Sequence, residues 1–198
     1  MQHSIEALME TLGPRPKAKR VSGTRLEVRF QGPETARELD VFVFSDVLDE
    51  LVFSAVSRRA AGILTGQWYL SDKPEDTPHD FIEVAAFRDI YPVDNSLDYA
   101  TYLRRNRGLL RSQAQERVLG VVHMMPDETP VFLEDIFLQR TYFNLPFHIA
   151  MFVFGDGSPS RCFAMTDEGH MFEIGFYVVS LRNNDYEEAR AEVPVPSE

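Results

Sequence analysis

Hydrophobic and polar residues follow two repeating patterns along the chain, and each pattern predicts a different kind of element. Strict alternation at Thr24–Phe30 predicts a half-buried strand. Apolar residues three and four positions apart predict a helix from Ser45, as its N-cap, to about Arg59, and another at Asp98–Gln115. Apolar runs between turn residues predict further strands at Leu39–Phe44, Ala61–Leu70, Phe81–Ile90, Val118–His123, Phe147–Phe154, Arg161–Thr166 and His170–Leu181.

These elements indicate one domain of the α/β (α+β) class. An acidic helix start at Leu133–Asp135 adds a third helix and gives the order β-β-α-β-β-α-β-α-β-β-β. Strands joined partly by hairpins and partly by helices predict a mixed, mainly antiparallel sheet flanked by helices. A chain of 198 residues with 44% hydrophobic residues is long enough for one packed core. We expect the domain at residues 24–181, after a leader at 1–23 and before an acidic tail at 182–198.

The leader contains a short amphipathic pattern. Its apolar residues have the spacing of one helix face: Ile5, Leu8, Met9 and Leu12. The Gly13–Pro16 segment ends this helix and begins a polar linker. The helix is therefore a candidate contact with a partner or with the parent domain, and a poorly ordered leader is the alternative.

Composition narrows the functional classes. The formal net charge of −11 argues against a nucleic-acid partner, because phosphate binding requires a positively charged surface. The single cysteine, Cys162, excludes an internal disulfide and gives no support to an oxidising compartment. No apolar run approaches the length of about 18 residues that a membrane helix needs, and no signal peptide is apparent. A soluble, cytoplasmic protein is expected.

One basic surface is predicted on this acidic chain. Four arginines lie on the exposed face of the helix predicted at Asp98–Gln115, namely Arg104, Arg105, Arg107 and Arg111. A solvated helix face is the simplest interpretation of this cluster. Contact with an acidic protein partner is the functional alternative.

The segment Arg117–Phe143 contains the candidate chemistry. His123 lies at the end of a predicted buried strand, and Asp135 follows at the start of the third helix. A strand end that presents a histidine near an aspartate at a helix N-terminus is a common arrangement in metal sites. The pair therefore raises the question of a metal ion.

Three strings in the sequence resemble the JAB/MPN (JAMM) metalloprotease superfamily. Arg59–Gly66, RAAGILTG, stands where the family has Glu-x-x-Gly-x-Leu-x-Gly. Gly120–Pro126, GVVHMMP, stands where the family has Gly-x-x-His-Ser/Thr-His-Pro, and Phe132–Asp135, FLED, where it has Ser-x-x-Asp. The resemblance covers roughly residues 39–179 and implies a single JAB/MPN-like domain.

The resemblance also implies where the family's catalytic residues would lie. Members bind zinc through two histidines and an aspartate, with a glutamate as general base and a serine that stabilises the intermediate. His123 and Asp135 retain ligand-type side chains and are the candidate metal ligands. The other three positions differ: Arg59 replaces the glutamate, Met125 the second histidine and Phe132 the serine.

Three such replacements predict a site without hydrolytic activity, bound metal or cofactor. A thioether is a weak zinc ligand, and a guanidinium cannot act as a base at neutral pH. His123 is then expected to be a hydrogen-bonded residue at a strand end. Six other residues could supply substitute ligands, but none of them has metal-ligand spacing: His79, Glu83, Glu128, Glu134, His148 and His170. His148 and His170 are expected to be structural histidines in apolar strands.

The sequence thus predicts a non-catalytic MPN-like (pseudo-JAMM) protein-interaction or scaffold domain. The resemblance implies pairing with another MPN-like subunit, and a homodimer is the default without such a partner. One alternative is a zinc-dependent isopeptidase or peptidase with an atypical site that includes His123 and Asp135. A second alternative is a domain that binds ubiquitin-like or peptide tails without cleaving them.

Overall fold

The computed structural model describes residues 25–33, 39–69, 80–113 and 116–182. The predicted leader helix with Ile5, Leu8, Met9 and Leu12 lies outside these residues, as do His79 and the chain after Arg182. The elements in chain order are β1 (Arg25–Gln31), β2 (Leu39–Phe44), α1 (Ser45–Ser57), β3 (Ala60–Tyr69), β4 (Asp80–Pro92), α2 (Ser96–Arg105), a 3-10 helix (Arg107–Leu110), β5 (Arg117–Met125), α3 (Leu133–Tyr142), β6 (Ile149–Phe154), β7 (Arg161–Met165), β8 (Met171–Ile174) and β9 (Phe176–Arg182).

The strands form one mixed, strongly curled sheet with the shape of a half-barrel. Their order in the sheet is β1-β9-β2-β4-β3-β5-β6-β7-β8. Antiparallel pairs join β1 to β9, β3 to β4 and β5, and β7 to β6 and β8. Parallel pairs join β2 to β4 and β9, and β5 to β6. The predicted α/β class with a mixed, mainly antiparallel sheet and flanking helices is therefore confirmed.

Helices cover both faces of the sheet. On one face α1 buries an apolar stripe, which consists of Val47, Leu48, Leu51 and Ala55. On the other face, residues of α2 and α3 form a second apolar cluster with the sheet, including Tyr99, Leu103 and Leu138. Among the described helices, none is long and apolar enough to cross a membrane.

The strand β5 lies in the middle of the sheet and is buried along nearly its whole length. Val122 and Met124 belong to the cluster on the α1 side, whereas Val121 and Met125 belong to the cluster beneath α2 and α3. Because side chains alternate along a strand, His123 points to the same face as Met125. The strand therefore presents both residues to the two helices.

The helix predicted at Asp98–Gln115 is shorter than the sequence pattern indicated. It ends at Arg105, and a 3-10 helix at Arg107–Leu110 follows. The guanidinium of Arg88, on β4, donates hydrogen bonds of 2.8 and 3.0 Å to the carbonyl oxygens of Leu109 and Arg111. These bonds fix the segment in a conformation that an α-helix cannot adopt, since helical carbonyls are bonded within the helix.

The arginine cluster consequently does not form one helix face. Arg104 and Arg105 end α2, Arg107 begins the 3-10 helix and Arg111 follows it. All four side chains are exposed. The prediction of an exposed basic surface is correct, but the prediction that one helix carries it is wrong.

The predicted strand His170–Leu181 is divided into β8 and β9. Gly175 separates the two strands, and a Cβ atom there would lie 2.0 Å from a ring carbon of Phe30. The bare backbone at Gly175 thus makes room for an aromatic ring of β1. The apolar alternation continues through both strands and therefore gives no sign of the break at Gly175.

The prediction of Ser45 as an N-cap is also wrong. The helix α1 begins at Ser45 itself, Phe44 is the N-cap, and no side chain caps the helix. The strand β2 therefore passes directly into α1. Asp46 lies in the first turn of α1 and complements the helix dipole.

We predict that Gly120→Ala destabilises the fold by about 3 kcal/mol or more. Gly120 has a φ of 154°, and a Cβ atom there would lie 1.8 Å from the carbonyl oxygen of Ile149 on β6. The alanine would force the central parallel pair apart. Denaturant unfolding, monitored by circular dichroism, measures the change.

Gly108→Ala is the matched control, because a Cβ atom at Gly108 meets nothing within 4 Å. Its free energy of unfolding should stay within about 1 kcal/mol of wild type. Equal unfolding midpoints for the two variants would contradict the close approach of β5 and β6 at Gly120.

Candidate functional site

The five positions singled out by the sequence lie at one end of the sheet. On β3, Ala61 lies opposite His123 of β5, and Ala60 lies opposite Met124. Arg59 precedes this pair and therefore lies near the end of β5. On the helix side, the Nδ1 atom of His123 is 3.8 Å from an Oδ1 atom of Asp135.

Asp135 is buried and holds two helix starts together. Its side chain is 1% exposed, and its Oδ1 atom accepts a short hydrogen bond from the hydroxyl of Ser96, the first residue of α2. Its Oδ2 atom accepts a 2.8 Å hydrogen bond from the backbone N–H of Phe132, the N-cap of α3. One carboxylate thus satisfies two donors and complements the positive end of the α3 dipole.

His123 is buried beside this carboxylate in a neutral state. Its ring stacks on that of Phe152, with centroids 4.6 Å apart and planes inclined by 14°. Burial lowers the pKa of His123 below its ordinary value; the Asp135 carboxylate opposes this shift, and the Arg59 guanidinium adds to it. The imidazole therefore carries no charge at neutral pH.

The expectation that His123 is hydrogen-bonded is wrong. The 3.8 Å separation from Asp135 is longer than a hydrogen bond, and the buried Nε2 atom has no hydrogen-bond partner. The residue also lies within β5 and not at its end. Aromatic stacking and apolar packing hold the ring, and a sequence pattern carries no signal for either.

Met125 and Phe132 have surroundings of opposite kind. Met125 is 2% exposed and packs in the apolar cluster beneath α2 and α3. Phe132 is exposed at the start of α3, together with two other large apolar side chains, Leu133 and Phe137. Neither side chain supplies a polar group to the His123–Asp135 pair, and Phe132 contributes only its backbone N–H.

These residues do not fit a catalytic zinc ion. Such an ion requires three protein ligands of nitrogen, oxygen or thiolate type, and only His123 and Asp135 qualify. The positive charge of Arg59 next to His123 would also repel the ion. Over the residues that the structure describes, no three His, Cys, Asp or Glu side chains form a metal-binding group.

His148 has a structural role, but it does not lie in an apolar strand as predicted. It is buried just before β6, and its Nδ1 atom accepts a 3.2 Å hydrogen bond from the backbone N–H of Leu145. Burial lowers the pKa of His148 to about 4, although backbone hydrogen bonds to Val118 and Phe143 oppose the shift. The side chain is neutral at pH 7 and serves the packing beneath β6.

The prediction for His170 is wrong, because this residue lies in the turn before β8. Its side chain is 78% exposed and 3.6 Å from a carboxylate oxygen of Glu168. The remaining candidates have ordinary surroundings. Glu83 accepts a 2.9 Å hydrogen bond from Tyr69, Glu128 is exposed in a turn, and Glu134 lies in the first turn of α3.

An open groove of about 660 Å³ lies beside Arg59. It is bounded by the end of α1, the end of β4 and one side of α2. Its charged side chains are three arginines and two aspartates, namely Arg58, Arg59, Arg105, Asp94 and Asp98. Of the arginines predicted as interaction candidates, Arg105 lines this groove, and Arg104, Arg107 and Arg111 do not.

Two stacked tyrosines line the groove. The rings of Tyr91 and Tyr102 are 4.3 Å apart and inclined by 13°. The hydroxyl of Tyr102 donates a 2.9 Å hydrogen bond to Asp89, which raises the pKa of Tyr102. Asp89 itself has a φ of 58° at a bulge of β4, and Tyr99 donates a second hydrogen bond to its carboxylate. The two tyrosine hydroxyls thus hold the strained backbone at Asp89, and these bonds fix the orientation of the Tyr91–Tyr102 stack.

Several residues of this region escaped the sequence analysis. The helix was predicted from Asp98, although Asn95 is a strong N-cap signal for its start at Ser96. The link from Ser96 to Asp135 spans 39 residues and has no local signal. Nothing in the spacing of Arg58 and the two tyrosines indicates that they share a groove.

We predict that His148 makes the protein less stable as the pH falls from about 6.5 toward 4. The folded chain holds its pKa near 4, below its ordinary value of 6.5, so the unfolded chain binds the proton more readily. The stabilisation is complete above pH 6.5, and about 2 kcal/mol of it is lost at pH 5. Urea unfolding at pH 7 and pH 5 measures this difference.

The variant His148→Asn retains an acceptor for Leu145 and should show a smaller loss between the two pH values than wild type. His170→Asn, at an exposed histidine, should leave the loss unchanged. A pH dependence in His148→Asn identical to that of wild type would refute the assignment.

We predict that Asp135→Ala destabilises the fold by about 3 kcal/mol, because it leaves the buried hydroxyl of Ser96 and the partly buried backbone N–H of Phe132 without their acceptor. Asp127→Ala, at an exposed turn position, should change the free energy of unfolding by less than about 0.5 kcal/mol. Thermal and urea unfolding of both variants measure the difference. A small effect at Asp135 would show that this carboxylate does not join α2 to α3.

Comparison of the sequence with family models and curated proteins identifies no relative. No protein-family model matches the chain, and no curated protein matches its sequence. The JAB/MPN resemblance therefore remains a hypothesis that rests on three strings and on the element order.

Proposed function

We propose that this chain is a non-catalytic JAB/MPN-like domain that acts as a protein-interaction or scaffold domain. The observation that carries the proposal is the closed state of the His123–Asp135 pair. Both side chains are buried, and both oxygens of Asp135 accept hydrogen bonds from the protein itself. Hydrolysis needs an open position for water or substrate at such a pair.

The charge and packing around the pair also support the proposal. Arg59 stands where the resemblance requires a general base, and its positive charge disfavours protonation of His123. Met125 stands where a second ligand is required and belongs to the apolar core. Restoring catalysis would therefore require changes both in charge and in the packing beneath α2.

The groove next to the buried His123–Asp135 pair supports the proposed role in binding. The groove beside Arg59 is lined by charged and aromatic side chains. Exposed apolar side chains at the start of α3 and on α1, such as Leu133 and Phe53, offer further contact area. A second copy of the chain or another MPN-like subunit is the partner that the resemblance implies.

Of the alternative functions, binding of a peptide tail without cleavage has a specific observation in its favour. The groove opens directly beside Arg59, one of the five remnant positions, so a tail lying there would reach the former catalytic end of the sheet. The alternative of an atypical zinc peptidase lacks a comparable observation among the described residues.

We predict that purified wild-type protein contains far less than one zinc ion per chain and does not cleave peptide or isopeptide substrates. Elemental analysis after dialysis and a fluorogenic peptide assay test these two points. Stoichiometric zinc that disappears in His123→Ala would overturn the proposal.

The resemblance itself is tested by rebuilding the ligand set. The double variant Arg59→Glu, Met125→His should gain zinc approaching one ion per chain, because it supplies the third ligand and removes the repelling charge. The single variant Arg59→Glu is the control and should gain little. If the double variant folds, as judged by circular dichroism, and binds no zinc, the JAB/MPN assignment loses its support.

A further inference from the structure

We infer that the groove between α1, β4 and α2 binds an acidic peptide segment of a protein partner. The inference rests on the proposed interaction function and deepens it by naming the surface and the chemistry of the partner. Three features carry the inference: unpaired arginines, a rigid wall of stacked tyrosines, and a local charge opposite to that of the whole chain.

The arginines of the groove are available for a ligand. Arg58, Arg59 and Arg105 line it, and over the described residues none of them has a carboxylate within 4.0 Å. The two aspartates of the groove, Asp94 and Asp98, therefore do not neutralise them by direct contact. Guanidinium groups bind carboxylates through paired, charge-assisted hydrogen bonds, which makes acidic side chains the matching ligands.

The arginines are attached to backbone that is already fixed. Arg58 and Arg59 form the short link between α1 and β3, and the carbonyl oxygen of Arg59 accepts a 3.3 Å hydrogen bond from the N–H of Val93. This bond joins one wall of the groove to the segment after β4. Arg105 lies in the last turn of α2, where the helix dipole favours a positive charge. A site with fixed walls loses less conformational entropy on binding.

The tyrosine stack supplies the apolar part of the site. Tyr91 remains partly exposed, and Asp89 fixes the hydroxyl of Tyr102 by a hydrogen bond. Aromatic faces held in one orientation suit the backbone and aliphatic carbons of an extended peptide. The groove volume of about 660 Å³ lies within the range of about 300–1,000 Å³ that is typical of ligand sites.

The charge balance favours a short acidic peptide over nucleic acid. The groove has three cationic and two anionic side chains, whereas the chain as a whole has a net charge of −11. A long polyanion would feel the repulsion of the whole chain, but a short segment with a few carboxylates mainly contacts the local arginines.

Fluorescence anisotropy with the labelled peptide Glu-Glu-Tyr-Glu-Glu and the full chain tests the inference. We expect micromolar binding that weakens with salt, and at least tenfold weaker binding of the neutral counterpart Gln-Gln-Tyr-Gln-Gln. Arg59→Gln and Arg105→Gln should each reduce the affinity about tenfold. Arg58→Gln, at an exposed position, is a third groove variant in case the half-buried Arg59 is needed for folding.

Arg104→Gln is the matched control, because Arg104 is an exposed arginine next to Arg105 but does not line the groove. Its affinity should stay within twofold of wild type. Equal losses for Arg104→Gln and Arg105→Gln, or equal affinity for the acidic and neutral peptides, would overturn the inference.

Two further outcomes separate this inference from its rivals. The chain's own segment 183–198 is acidic, so the full-length variant Glu187→Lys, Glu188→Lys should leave the peptide affinity unchanged. A marked gain in affinity would identify that segment as the occupant and overturn binding of a partner.

Absence of peptide binding in a zinc-free, inactive protein would refute the groove inference and leave the non-catalytic proposal intact. Zinc-dependent cleavage would refute the non-catalytic proposal itself.

Discussion

The buried carboxylate of Asp135 is the interaction on which this end of the molecule depends. It accepts hydrogen bonds from the first residue of α2 and from the N-cap of α3, and it lies 3.8 Å from His123 on the central strand. Without this acceptor, the buried hydroxyl of Ser96 would be left unsatisfied, and the backbone N–H of Phe132 would lose its partner in the protein. The carboxylate therefore has a structural role: it joins the starts of two helices next to the central strand.

The buried His123–Asp135 pair and the neighbouring groove have different roles. His123 is neutral and stacked on Phe152, so it contributes packing and no charge. Arg59, one strand away, brings positive charge to the groove and to the surroundings of His123. A guanidinium at this position attracts carboxylates and repels metal ions. The proposed binding of an acidic segment is consistent with this positive charge.

Local patterns predicted most of the fold, and contacts distant in sequence account for the rest. Apolar runs located most of the strands, because most strands bury one or both faces. The prediction of a half-buried strand at Thr24–Phe30 is corrected: β1 forms there, but the side chains of Val28, Arg29 and Phe30 are exposed. The early end of α2 escaped prediction because Arg88, on another strand, binds the carbonyls that follow it. The break at Gly175 depends on the ring of Phe30, far away in the sequence. In the candidate site, the sequence identified the residue types at five positions. The hydrogen bond from Ser96 to Asp135 and the groove are visible only in the tertiary structure.

The position of β9 has a consequence for how the chain folds. This strand comes last among the described elements, yet it lies between β1 and β2, which come first. Within the described sheet β1 pairs only with β9, so it cannot join the sheet until nearly the whole domain has been synthesised. Pairing of such distant segments requires closure of a long loop and is slow. The final assembly of β2, β9 and β1 should therefore be the slow step of folding.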